Sequence, residues 1–325
     1  MTLLLTASQL EHLVDRDATR RAVSRIFAEI ATGQASQPEP TSMATPAGTG
    51  RYILMSALSD ATGTAAVKLL ADVPDNAARG LPTQRSMILV VDREDGAPVA
   101  LLHGAVPTRV RTAAASAVAT DALARDDSRV LGLVGAGALA REHVSALRGV
   151  RSFDRIVVWS RTRETAEDFA ATTEGEVSVS ADVRGVFADA DVVCTLTPSV
   201  DPIVAGRWLR PGQHINVVGA RPRPDEREVD SEAMRRSSVW VDDHATAEAK
   251  SGDLLLAVAE GAIALEDVVG TIGEVLTGAA RGRRDGDEIT LFDSVGIGAQ
   301  DLAIADLLVR AARGRGVGAE IDFAV

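Results

Sequence analysis

Gly135-Ala136-Gly137-Ala138-Leu139-Ala140 is the segment whose residue types and spacing most directly imply a ligand. It follows the short apolar run VLGLVG (130–135) and opens the amphipathic stretch ALAREHVSALRG (138–149). In a strand–turn–helix setting Gly135 permits a tight turn and Gly137 lets the backbone approach a pyrophosphate. Small Ala140 allows helix to pack on strand, while the helix start at Ala138 and Leu139 turns main-chain N–H groups toward an anion. The chemistry implied is dinucleotide binding. The next apolar run, DRIVVWS (154–160), would end in a carboxylate if a free ribose 2′-hydroxyl were to be held. It ends instead Trp159-Ser160-Arg161-Thr162-Arg163. Two arginines with the hydroxyls of Ser160 and Thr162 suit a 2′-phosphate, so NADP(H) is favoured and NAD(H) remains possible; Arg161 stacked on adenine would serve either. Ligands of parallel sheets lie outside the carboxyl ends of the strands, which makes Thr195, Thr197, Val218 and Gly219 candidates for the nicotinamide half.

The elements around these residues follow two grammars. Up to about residue 107 the chain predicts a helix over 15–31, N-capped by Asp15 and stopped near Gly33, then a long Pro/Ser/Thr/Gly surface loop over 34–50. Strand-like runs follow at 51–58, 65–73, 86–92 and 99–104, the last two joined by turn chemistry as a hairpin. An Ala-rich helix at about 108–125 closes this mainly antiparallel section. From Arg129 onward strands alternate with helices, the pattern of βαβ units and a parallel sheet, and an apolar helix occupies 297–314. Trp159, Trp208 and Trp240 read as core, and Cys194 as a buried, inert thiol.

Composition excludes several classes. Forty-six acidic against thirty-four basic residues leave a charge of −12, which repels nucleic acid and anionic membranes. One cysteine and five scattered histidines offer neither a disulfide framework nor a local metal motif. The start of the chain, with three leucines, predicts no signal peptide, and no window suits a membrane span, so the expectation is a cytoplasmic protein. Only Lys68 and Lys250 among the basic residues are lysines. Codon bias toward arginine accounts for most of this, but a lysine retained in such a chain can mark a place where a compact ammonium is needed.

Lys68 in AAVKLL, Arg111-Thr112-Ala113-Ala114, GAGALA with VWSRT, HINVVGARPRPDEREVD (214–230), AKSGD (249–253) and TLFDSVGIGAQD (290–301) occur in order along the chain. This series resembles the ornithine cyclodeaminase/mu-crystallin family over nearly the whole length. The resemblance implies an α/β protein with a Rossmann NAD(P)-binding domain at 121–296. It also implies an α+β substrate-binding and dimerisation domain, built from 1–120 and 297–325, and a homodimer whose sheets meet. In the family, residues matching Lys68 and Arg111, assisted by an arginine near Arg51, hold the substrate carboxylate. Thr112 would fall near the pyrophosphate, and Ser294 and Gly296 near the nicotinamide carboxamide. A carboxylate gripped from two rigid elements would aim the α-carbon at the nicotinamide.

The chain departs from the cyclodeaminases after Gly219, where Ala220-Arg221-Pro222-Arg223-Pro224 carries no acid. Without that carboxylate, cyclodeamination loses its acid/base group. What remains is the ketimine reductase branch: hydride from NAD(P)H to the C=N carbon of a small α-imino acid, giving an amino acid. Lys68, its pKa lowered by burial and neighbouring arginines, is the candidate proton donor. His103 replaces a usual aspartate and, with Arg109, could meet a second substrate carboxylate; a satisfied strand histidine is the simpler reading. Alternatives are an amino-acid dehydrogenase, an imine-condensing biosynthetic enzyme in which Arg221 and Arg223 serve a larger acidic substrate, and a non-catalytic NADP-dependent binding protein.

Overall fold

The computed structural model describes residues 1–46 and 48–323. Ala47, within the expected loop, and Ala324 and Val325, at the end of the expected first domain, lie outside the described residues. The chain divides into two compact units, one formed by Met1–Arg111 with the stretch from Ile297 onward, the other by Thr112–Gly296.

The first unit contains β1 (Thr2–Leu5), α1 (Ala7–Leu13), α2 (Arg16–Ala31), β2 (Ala35–Ser36), β3 (Thr41–Ala44), β4 (Arg51–Ser59), β5 (Thr64–Asp72), β6 (Gln84–Asp92) and β7 (Pro98–His103). Its chain then enters α3 (Ala105–Leu123), which runs on into the second unit. The second unit continues with β8 (Val130–Val134), α4 (Ala138–Leu147), β9 (Arg155–Trp159), α5 (Arg163–Thr172), β10 (Glu176–Val179), α6 (Val183–Asp189), β11 (Val192–Thr195) and β12 (His214–Val217). There follow α7 (Ser231–Arg236), β13 (Ser238–Val241), α8 (His244–Lys250), α9 (Gly252–Ala259), β14 (Gly270–Thr271), α10 (Ile272–Thr277) and β15 (Thr290–Asp293). α11 (Gly298–Arg315) and β16 (Ala319–Ile321) return to the first unit.

Among the described residues the first unit carries one mixed sheet in the order β16-β1-β7-β6-β5-β4-β2, with β3 also on β4. It is antiparallel except where β1 lies parallel to β7. The expected hairpin is β6–β7. Alternation sets the faces: Met55, Lys68 and Ile88 stand abreast on the inner side, with Ile53, Ala57, Ala66 and Val90 around them. Against that side pack α11 and, beyond it, α2, whose N-cap Asp15 accepts from the Ala18 N–H at 2.8 Å. α11 approaches closely because Gly298 has no side chain; a Cβ there would stand 2.5 Å from the Ser56 carbonyl oxygen.

The expected loop over 34–50 is a correction. It holds β2 and β3, both antiparallel to β4. The β3 residues are all exposed, so no alternation of apolar residues marks them; backbone pairing to a neighbouring strand makes the element. β1 and β16 also went unread, being four and three residues long.

The second unit is a doubly wound α/β sandwich. Its strands, all parallel, run β10-β9-β8-β11-β12-β15-β13-β14. One face buries Val157, Val193, Ile215 and Leu291 against α6, α7, α8 and α9. The other buries Leu131, Leu133, Ile156 and Cys194 against α3, α4 and α5. Burial pushes the Cys194 thiol up to about 12. Trp240 is fully buried, and Trp159 and Trp208 pack partly buried on the first face.

Candidate active site

In the first unit, Lys68 sits at the middle of β5, with Met55 and Ile88 beside it across the two neighbouring strands. Its side chain is 1 % exposed. α11 presents Gln300 and Asp301 to it. The Lys68 ammonium forms an ion pair with Asp301 Oδ2 at 2.7 Å, and Arg111 Nε donates to Asp301 Oδ1 at 3.1 Å. Arg111 Nη1 donates to Gln300 Oε1 at 2.6 Å. That bond fixes the orientation of the Gln300 amide, whose buried Nε2 has no acceptor among the described residues. Burial, reinforced by Arg111 and opposed by Asp301, brings the Lys68 ammonium down to about 8. Two buried cations thus share one carboxylate, leaving one positive charge and a spare amide donor at the same place.

Arg51 lies on the same side of β4 as Met55 but four residues along, roughly 13 Å at strand spacing, at the exposed start of the strand. Among the described residues no hydrogen bond or ion pair links its side chain to the Lys68–Arg111–Asp301 group. His103 is exposed and its Nδ1 accepts from the Ala105 N–H at 3.3 Å; Arg109 pairs with Glu11 at 2.9 Å.

In the second unit, Gly135 follows β8 with φ +120°, a conformation that favours glycine, and its N–H donates to the Trp159 carbonyl at 2.8 Å. Gly137 caps α4 without a side-chain bond, and nothing lies within 4 Å of the position its Cβ would take. The first N–H groups of α4, at Ala138 and Leu139, have no acceptor within the helix itself. Ala140 is fully buried. At the end of β9, Ser160 is half-buried, while Arg161 and Thr162 are exposed and Arg161 has no ion-pair partner among the described residues; Arg163 pairs with Glu167 at 2.7 Å.

The carboxyl ends of β11 and β12 are tied by a residue that sequence reasoning missed. Glu228, fully buried, accepts from Thr195 Oγ1 (2.6 Å), Thr197 N and Oγ1 (2.7 Å each) and Gly219 N (2.7 Å). Burial pushes its carboxyl up, while the hydrogen bonds from Thr195, Thr197 and Gly219 hold it down. Thr195, itself fully buried, therefore commits its hydroxyl to Glu228. A Cβ on Gly219 would stand 2.2 Å from the Thr197 nitrogen, so the two strand ends touch. Val218 N–H donates to the Thr195 carbonyl at 3.2 Å. Asp253 Oδ1 accepts from the Glu228 and Val229 N–H groups at 2.9 Å, and Ser251 Oγ donates to Asp293 Oδ2 at 2.5 Å. Asp242 Oδ2 accepts from Gly296 N at 2.6 Å and from Ser294 Oγ at 3.3 Å, holding both expected carboxamide contacts. Burial raises Asp253 well above the usual carboxylate range and Asp293 to about 6. Arg221 and Arg223 both bind Glu226 at 2.6 Å. Thr112 is half-buried on α3, next to Arg111.

Asp301 and Glu228 lie inside motifs quoted above, GIGAQD and EREVD, but nothing local distinguishes them from surface acids. Among the described residues no group of His, Cys, Asp or Glu could hold a metal ion, and no helix is long and apolar enough to cross a membrane.

A glycine loop on a parallel sheet defines a dinucleotide-binding α/β protein, and a separate α+β unit carries a buried cation pair. The chain belongs to the ornithine cyclodeaminase/mu-crystallin family, which it matches over residues 1–315. It is 36 % identical over 282 residues to the ketimine reductase mu-crystallin of Mus musculus, covering 87 % of each chain. The Thermococcus litoralis Δ1-pyrroline-2-carboxylate reductase, solved with NADH and L-proline, superposes with a TM-score of 0.94 at 34 % identity, covering 98 % of this chain and 100 % of that one. An archaeal alanine dehydrogenase dimer with bound NAD gives 0.94 at 33 %, covering 99 % of each.

Proposed function

We propose that this protein is a nicotinamide-dependent reductase of small α-imino acids. The observation that carries the reading is the buried Lys68–Arg111–Asp301 group with its uncompensated positive charge and the unsatisfied Gln300 amide. A substrate carboxylate would supply the missing charge and the missing acceptor together. Lys68 and Arg111 bind it from a strand and a helix, and Arg51 is the candidate third cation. A ketimine reductase and a pyrroline-2-carboxylate reductase among its relatives favour the same substrate class.

The bound cofactor supplies hydride to the imine carbon. The chain's own residues orient and protonate. Gripping the carboxylate holds the carbon in one place, which lowers the entropic part of the barrier. An imine that arrives protonated becomes a neutral amine as the C=N electron pair passes to nitrogen; one that arrives neutral takes a proton, and Lys68, brought down to about 8 in the same buried group, is the candidate donor. Gly135, Gly137, Ala138 and Leu139 would hold the pyrophosphate with Thr112 nearby. Thr195, Thr197, Val218 and Gly219 would back the nicotinamide ribose, Thr195 through its main chain, and Ser294 and Gly296 would meet the carboxamide.

The related structures contain NADH or NAD. For this chain we favour NADP(H), because the β9 end offers Arg161, without an ion pair among the described residues, together with Ser160 and Thr162 and no carboxylate. The first unit would bind substrate and dimerise. Tyr52, Leu58, Leu69, Met87 and Leu89 on the outer side of its sheet are exposed apolar residues that a second copy would cover. A single buried thiol suits a cytoplasmic enzyme. The alanine dehydrogenase favours one further reading, the same reaction run toward imine.

Oxidation of NADPH and NADH at 340 nm tests this, with pyrroline-2-carboxylate, piperideine-2-carboxylate, and pyruvate, glyoxylate or oxaloacetate mixed with ammonia or methylamine. Turnover of one or more, faster with NADPH, is expected. Silence on all of them with NADPH still bound would replace the reductase with a binding protein.

A further inference from the structure

Hydrogen-bond donors accumulate at the first turn of α11. The helix starts at Gly298, and Ile297 before it supplies no side-chain cap. A residue 262 positions away takes that place: Gln37 Oε1 accepts from the Ala299 N–H at 3.1 Å. A main-chain N–H can only donate, so the Gln37 oxygen is fixed on Ala299 and its Nε2 points elsewhere. That nitrogen is buried and has no acceptor among the described residues. The Gln300 amide, on the same turn, is in the same state. Arg111 Nη1 holds its oxygen, and its Nε2 is buried without an acceptor.

Strand register puts Gln37 on the side of the sheet that carries Lys68. Gln37 directly follows β2, whose pairs Ala35–Ser59 and Ser36–Leu58 bring it opposite Ala57 of β4. Ala35 and Ala57 are buried and Ser36 is exposed, so Gln37 continues the inner side. Ala57 is one two-residue step, roughly 7 Å, from Met55, which stands beside Lys68. The start of α11 covers that step, because Gly298 is pressed on Ser56. Glu29, buried in the same unit, is engaged by the Ser59 hydroxyl at 2.7 Å. Two cations that share Asp301, two free amide N–H groups and the positive end of an 18-residue helix thus occur together. Buried donors left unbonded are costly, and an anion bonded to them removes that cost.

We propose that Gln37 is a further substrate-binding residue, its Nε2 donating to the carboxylate that Lys68 and Arg111 hold. The assignment rests on the reductase reading above and deepens its account of the carboxylate grip. A carboxylate has about four lone-pair sites, enough for two cations and two amides at once. A neutral amide adds a bond without adding to the positive charge that the ligand-free protein must bury.

The test measures propionate binding to the intact protein by calorimetry and, separately, imine reduction. Gln37→Glu keeps the oxygen that Ala299 requires and replaces only the donor; Gln37→Leu removes both. Gln37→Glu should hold the wild-type Tm yet weaken propionate binding by well over tenfold, and Gln37→Leu should weaken it by about tenfold. In turnover both should raise KM for the imino acid with kcat within a few-fold of wild type. Wild-type propionate affinity in Gln37→Glu overturns the proposal and leaves Gln37 as a cap for α11 alone. Wild-type affinity in Gln37→Leu overturns it as well. Either result, with imines still reduced, leaves the reductase reading intact. A wild-type protein that binds no propionate and reduces no imine overturns the reductase reading, and this proposal with it.

Discussion

Around Asp301 two buried cations share one carboxylate, whereas around Glu228 one buried carboxylate receives four donors. The first arrangement is under-compensated: it holds a surplus charge, and the neighbouring Gln300 amide lacks an acceptor. The second is complete, its four donors coming from Thr195, Thr197 and Gly219 at two strand ends. Buried charge left incomplete is costly and marks a place that expects a ligand; buried charge fully bonded sets backbone geometry. Under the proposed function, Lys68 and Arg111 would bind a ligand, whereas Glu228 ties the two strand ends together.

The sharpest way to break that contrast is to remove the cations. Lys68→Ala and Arg111→Ala should each lower kcat/KM for an imino acid by about a thousandfold, the cost of a lost charge-assisted contact in a buried site. NADPH affinity, read by fluorescence titration, should stay within a few-fold of wild type. Loss of NADPH binding in both variants would move the pair out of the substrate's reach.

Glu228→Ala should act on stability instead. Four donors lose their acceptor, a cost of about 4 kcal/mol after water partly replaces it, or a Tm lower by about 10 °C in calorimetry. A variant as stable as wild type would contradict the strand-tying role.

Gly137→Val probes the ligand side of the second unit. Nothing lies within 4 Å of the position an added Cβ would take and φ is −83°, so Tm should hold. NADPH affinity should fall by about tenfold, since the branched side chain would occupy the pyrophosphate's place.

The smallest effect is a pH dependence. Burial lowers Lys68 from 10.5 to about 8 in the folded chain. Its charge is therefore lost as pH rises through about 8, and inhibition by an unreactive carboxylate such as propionate should weaken above that value, by at most about tenfold per pH unit. Stability of the ligand-free protein should move the other way. Between about 8 and 10.5 the unfolded chain binds the proton that the folded chain has released, so stability rises across that window. Lys68→Met should abolish both trends.

Much of this was legible because it is local. The dinucleotide loop is contiguous: Gly135 with its positive φ, open Gly137 and buried Ala140 fall within six residues, between a strand and a helix that each announce themselves by apolar pattern. The alternation in β4, β5 and β6 was equally plain, because a sheet with one buried side imposes period two on its residues. β2 and β3 were not, since strands of two and four residues with no buried apolar alternation owe their existence to the edge they pair with.

By itself, then, the sequence determined the parallel sheet, the nucleotide loop with no acid after β9, and, through resemblance, Lys68 and Arg111 as the cations to watch. The partners of those cations were decided by tertiary structure. Asp301 lies 190 residues from Arg111 and reaches it only because α11 returns to the first unit and packs closely on the β4–β6 face at Gly298. The same holds for Glu228, whose four donors lie on strand ends that only sheet order brings together. Backbone dihedrals and apolar periodicity act over a few residues and so leave a readable trace in the chain; charge compensation acts through space, across whatever contacts packing creates, and leaves none.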